Sequence, residues 1–193
     1  MPTSPAGSVI NEVTMKKIIL NLLAFSALVV AISCVSEEEN LEVIFEQDKK
    51  KIETFVQNFD VEHRRETVGE SGVVLLITKP NDTGRLPETR DSIRVDYTGY
   101  LLDGTVFDTS VKSVAEEKGM FNPNRPYEPF PVILGISRVI VGWQVALSRL
   151  REGEKATVLI PSFYGYGRDG NGPIPANTVL VFDMDVVSVR GPE

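Results

Sequence analysis

From Ser92 to Leu102 the chain reads SIRVDYTGYLL, and Ile93, Val95, Tyr97 and Leu101 fall on one face of an extended segment. Side chains of a strand alternate between faces, so this pattern demands a sheet with one side buried. Asp103-Gly104 then marks a turn, and Val106-Phe107-Asp108 starts the return, which makes the pairing antiparallel. Val73 to Lys79, Pro131 to Leu134 and Glu154 to Ile160 read as further short strands, and Thr178 to Val189 as a long final one with Leu180, Phe182, Met184 and Val186 on one face. One helix fits among them, Gly142 to Leu150, with Trp143, Ala146, Leu147 and Leu150 on one side. Many short strands around a single short helix predict an α+β fold, an antiparallel sheet wrapped around that helix.

The first third is organised differently. Met15-Lys16-Lys17 precedes an apolar run from Ile18 to Ile32, 15 residues long against the roughly 20 that span a bilayer, so a signal peptide is expected. Ala31-Ile32-Ser33-Cys34 resembles a bacterial lipobox, which implies cleavage before Cys34 and lipidation of its sulfur. The acidic run Glu37-Glu38-Glu39 reads as a solvated tether. Leu41, Phe45, Ile52, Phe55, Val56 and Phe59 then recur at helical spacing, predicting an amphipathic helix from Leu41 to Phe59 whose stripe packs on its own domain or on a second copy. The polar EHRRETVGES that follows, with His63, reads as linker. The expected organisation is therefore 1–33 upstream residues and signal peptide, 34–71 tether and helix, and 72–193 folded domain. It places the protein in a bacterial cell envelope, held to the membrane by a lipid anchor and facing the periplasm or the cell surface.

Several chemistries lack parts. A net charge of −7 argues against nucleic acid, whose binders cluster Lys and Arg to displace phosphate counterions. His63 is the sole histidine and Cys34 the sole cysteine, so Ser-His-Asp, Cys-His and multi-His metal sites cannot be assembled. In FYGYGRDGNGPIP, Gly165, Gly167 and Gly170 match the spacing of a dinucleotide loop. Such a loop must open a helix whose first amides meet the pyrophosphate, and Pro173 and Pro175 preclude one. No nucleotide is expected; the glycines allow a tight loop that leaves Tyr164 and Tyr166 beside a groove.

Three segments together resemble the FKBP-type peptidyl-prolyl isomerases: VDYTGYLLDGTVFDTS (Val95 to Ser110), FPVILGISRVIVGWQVAL (Phe130 to Leu147), and Pro161 to Asp183 ending in IPANTVLVFD. The likeness spans roughly Gly72 to Val189. It implies a pocket floored by Trp143 and walled by Tyr97, Phe107, Phe130, Val139, Ile140, Ile174 and Phe182, with Asp108 and Tyr166 at the rim. It also implies that the Ile140 N–H and the Tyr166 hydroxyl hold substrate carbonyls, that the Tyr97 hydroxyl steadies Asp108, and that neither cofactor nor metal takes part. The substrates would be proline-containing segments of exported proteins. Rotating an X-Pro bond crosses about 18–20 kcal/mol without breaking a covalent bond, so an aromatic pocket with a few fixed hydrogen bonds is chemically sufficient. A groove that binds proline segments without turnover, within an envelope or surface assembly, and a holdase working through the N-terminal helix are the alternatives. Asn171 stands where some relatives have His, and Arg138 where some have an acidic residue. The insertion 111–129, VKSVAEEKGMFNPNRPYEP, borders the groove with a helix-like stretch from Ser113 to Lys118.

Overall fold

The long alternating segment takes the central place: β3 (Ser92–Leu101) pairs along its whole length with β7 (Leu180–Arg190), and its other edge takes β4 (Val106–Thr109) and β5 (Phe130–Ile133) in succession. This computed structural model describes residues 36–192. The signal segment Ile18 to Ile32 and the lipidation candidate Cys34 lie outside the described residues. With β1 (Arg64–Val68), β2 (Val73–Lys79) and β6 (Lys155–Ile160), the sheet runs in the order β1-β2-β6-β7-β3-β4, with β5 also on β3. Each of these pairings is antiparallel, as the alternation requires. Among the described residues no helix is long and apolar enough to cross a membrane.

The inner face of the sheet closes on α3 (Val141–Leu147). Trp143, Ala146, Leu147 and Leu150 are buried there against Leu75, Ile93, Val95, Val158, Ile160 and Val186. Full burial of a leucine such as Leu147 contributes about 1.5–3 kcal/mol. Helix and sheet approach closely because residue 142 lacks a side chain: a Cβ on Gly142 would lie 2.3 Å from Ile160 Cγ2. The helix is shorter than its apolar spacing predicts, since Ser148 is already its C-cap, although Leu150 remains buried in the turn beyond.

A second apolar layer explains why β2 reads VVLLI without alternation. Val73, Leu75 and Ile77 point to the inner core, while Val74 and Leu76 join Leu159, Val179 and Val181 on the outer face. A strand covered on both sides needs no polar positions. The cover is α1 (Ser36–Gln57), whose residues from Ile44 onward belong to one compact unit with the sheet. Ile52 is 2% exposed within this layer, and Phe55, Val56 and Phe59 pack at its margin.

Two expectations for the N-terminal part are corrected. The acidic run Glu37-Glu38-Glu39 is the opening turn of α1 rather than a tether. The stretch expected as linker contains β1, so the sheet starts at Arg64 and not at Gly72. β1 is an edge strand whose one core contact is Val68, and ion pairs hold its other end. Arg64 donates to the buried Glu154 carboxylate at 3.1 Å, and Arg65 donates to Glu53 of α1 at 2.7 Å. His63 is half-buried just ahead of it, edge-on to Phe59 with centroids 5.3 Å apart.

Candidate active site

Gly99 sits mid-strand in β3, where a Cβ would come within 2.6 Å of the Phe107 ring and 2.7 Å of the Phe182 ring. Its bare backbone leaves room for both, and they meet edge-to-face at 5.5 Å, with Phe182 perpendicular to Trp143 at 5.3 Å. Tyr97, on the inner face of β3, meets Trp143 edge-to-face at 4.9 Å, and Phe130 of β5 closes the group at 6.1 Å from both. Edge-to-face contacts between rings are favourable beyond their burial. They pack these walls around an open cavity of 590 Å³.

The ten residues named from the sequence all line this cavity: Tyr97, Phe107, Asp108, Phe130, Val139, Ile140, Trp143, Tyr166, Ile174 and Phe182. Local structure explains each arrival. Gln144 of α3 accepts from Gly135 N–H and donates to Ser137 C=O, both at 2.9 Å, fixing the turn that delivers Val139 and Ile140. Ile140 precedes the first turn of α3, so no helix carbonyl claims its N–H. The glycine run does not open a helix. Asn171 and Ile174 exchange backbone hydrogen bonds at 2.9 Å in a miniature hairpin, with Gly170 and Gly172 at positive φ, and this turns Pro173 and Ile174 toward the cavity.

Asp108 anchors the polar rim. Its Oδ2 accepts from the Tyr97 hydroxyl at 2.6 Å, while Oδ1 accepts from Thr109 N–H at 2.9 Å and from Arg125 Nη1. Arg125 Nη2 donates in turn to the Tyr97 hydroxyl oxygen at 3.1 Å. Burial, and after it the Asp108 carboxylate, hold the Tyr97 phenol well above the ordinary tyrosine range, so it stays a donor. The hydrogen bond to Asp108 likewise raises Arg125 and keeps it charged.

Arg125 was not among the residues named from the sequence. It comes from the insertion, where it stacks over Tyr127 at 5.7 Å; Tyr127 in turn stacks on Phe121 at 5.4 Å and accepts from Asn122 N–H at 2.9 Å. The signal available was indirect: a rim carboxylate in an apolar wall needs a cation, and Arg125 stands five residues before the wall residue Phe130. The helix of the insertion, α2 (Lys112–Glu117), falls within a residue of its expected place. Arg138, Asn171 and Gly172 also line the cavity.

Residues 83–187 match the family model described as FKBP-type peptidyl-prolyl cis-trans isomerase. The chain belongs to the FKBP-type peptidyl-prolyl cis-trans isomerases. FK506-binding protein 1 of Kluyveromyces lactis is 37% identical over 122 residues, 63% of this chain and 96% of that relative. The FKBP-type peptidyl-prolyl cis-trans isomerase FkpA of Aeromonas hydrophila is 35% identical over 147 residues, 76% of this chain; the match spans 48% of that longer protein. The crystal structure of FkpA from Escherichia coli superposes with a TM-score of 0.57 at 27% identity, covering 92% of this chain and 74% of that one. In this FKBP-type isomerase every cavity-lining side chain named above falls inside the family match, whereas α1, β1 and β2 precede it.

Proposed function

We propose that this FKBP-type isomerase is held in a bacterial cell envelope by a lipid on Cys34 and accelerates X-Pro rotation in exported proteins as they fold. The observation that carries the catalytic part is the aromatic cavity, floored by Trp143 and rimmed by Tyr97, Asp108, Arg125 and Tyr166. A proline ring seats on the indole, and the apolar walls disfavour the polar planar amide. The Ile140 N–H and the Tyr166 hydroxyl hold the flanking carbonyls of a twisted form better than either planar one. Asp108, already meeting three donors, acts as an organiser and not as a base. An acceleration of about 10⁶ requires only about 8 kcal/mol of such differential binding.

The export part is supported by the Lys16-Lys17 pair, the apolar segment Ile18 to Ile32 and the Cys34 that follows it. Slow X-Pro isomerisation limits folding wherever chains arrive unfolded, and no ATP is required to relieve it. The test is the slow, proline-limited refolding phase of a secreted protein. It is expected to quicken with catalytic amounts of wild type and not with Asp108→Val; equal rates with both overturn the site. Fatty-acid labelling of the expressed protein, lost in Cys34→Ser, tests the anchor, and labelling that survives the substitution rejects it.

A further inference from the structure

One side chain of α1, an element outside the family match, ends against the loop that carries Tyr166. Asp48 is fully buried, and a buried carboxylate is costly unless donors converge on it. Its Oδ2 accepts from the Ser162 backbone N–H at 2.9 Å and from the Ser162 hydroxyl at 2.5 Å, while Lys51 Nζ donates to Oδ1 at 3.1 Å. Ser162 opens the short 3₁₀ turn Ser162–Tyr164, and the preceding Pro161 provides no side-chain cap. Asp48 supplies that cap from 114 residues away. The restraint passes onward, because the Ser162 carbonyl accepts from the N–H groups of Gly165 at 2.9 Å and Gly167 at 2.8 Å, the two neighbours of Tyr166. Phe45 of α1 meets Tyr164 of the same turn at 6.4 Å.

We propose that Asp48 is a positioning residue for the isomerase reaction: it holds Ser162, and through Ser162 the loop that aims the Tyr166 hydroxyl into the cavity. α1 is then part of the working enzyme and not merely a stalk. A stalk needs only the apolar stripe around Ile52; it has no use for a buried carboxylate aimed at the active-site loop. The inference rests on the role proposed above for Tyr166.

The test uses the otherwise intact chain carrying Asp48→Asn, Ser162→Ala, Ser162→Thr or Tyr166→Phe, with kcat and KM for an X-Pro peptide read beside amide hydrogen exchange. Asp48→Asn is expected to lower kcat/KM about tenfold, the weight of one charge-assisted hydrogen bond. Gly165 and Gly167 amides exchange faster while Val95 and Val158 in the sheet do not change. Ser162→Thr, which keeps the hydroxyl, stays near wild type and Ser162→Ala does not. Faster loop exchange with unchanged kinetics overturns the proposal, as does lower activity with loop exchange unmoved. If Asp48→Asn loosens the sheet as well, Ser162→Ala decides by the same comparison, since Asp48 and its backbone bond remain. Full activity in Tyr166→Phe overturns the role of Tyr166 itself, a result distinct from the exchange data that judge Asp48.

Discussion

At Asp108 three donors converge on one carboxylate, and the arrangement makes Tyr97 the residue whose titration reports the state of the rim. Folding raises its phenol pKa, so the folded chain holds that proton more tightly than the unfolded one. The stability this confers is complete below the unfolded value of about pH 10 and is lost as pH climbs through the higher folded value. Ultraviolet titration should therefore show two late tyrosines, Tyr97 and Tyr100, both raised chiefly by burial, and Tyr97→Phe should remove one of them. Arg125 is more than a third exposed in its ion pair with Asp108, so the pair contributes about 1 kcal/mol or less to stability. Arg125→Ala is accordingly expected to leave the urea midpoint nearly unchanged while lowering kcat/KM, since it frees the Tyr97 and Asp108 side chains to move. Gly99→Ala should instead reduce stability and activity together. A methyl 2.6 Å from Phe107 has no room between fixed rings, and overpacking of this kind costs about 1–3 kcal/mol, read as a lower urea midpoint together with lost turnover.

Among the elements, α1 and β1 separate what a sequence discloses from what it hides. β3, β7 and α3 were legible because each buries one face, and burial leaves a periodic record in the chain. β2 was legible as an apolar run, though only the structure shows that α1 covers its second face. β1 left no such record: beyond Val68 its side-chain support is Arg64 on Glu154, 90 residues on, and Arg65 on Glu53, 12 residues back, and ion pairs between distant residues have no period. The same holds for Arg125, delivered to Asp108 by an insertion whose path depends on the Phe121 and Tyr127 stack. Ile52→Ala tests whether α1 is integral to the fold. Removing a fully buried isoleucine side chain should cost about 2–5 kcal/mol by urea unfolding, whereas a helix that merely tethers would lose almost nothing.

For the whole molecule, the pieces divide by origin. The cavity lies within the family match, the outer helix braces the sheet from before it, and the segment ahead of Cys34 is the one proposed above to direct export. Nothing in the cavity breaks or forms a covalent bond, so the account depends on one physical event, rotation of a proline-preceding amide while its ring rests on Trp143. Magnetisation-exchange NMR on a short X-Pro peptide, with the protein at a small fraction of the peptide concentration, observes that event directly. Cis and trans signals are expected to exchange rapidly with wild type and slowly with Asp108→Val or Tyr166→Phe. Peptide that binds, shifting the Trp143 indole resonance, without any quickening of exchange would contradict it and leave a proline-segment binding module.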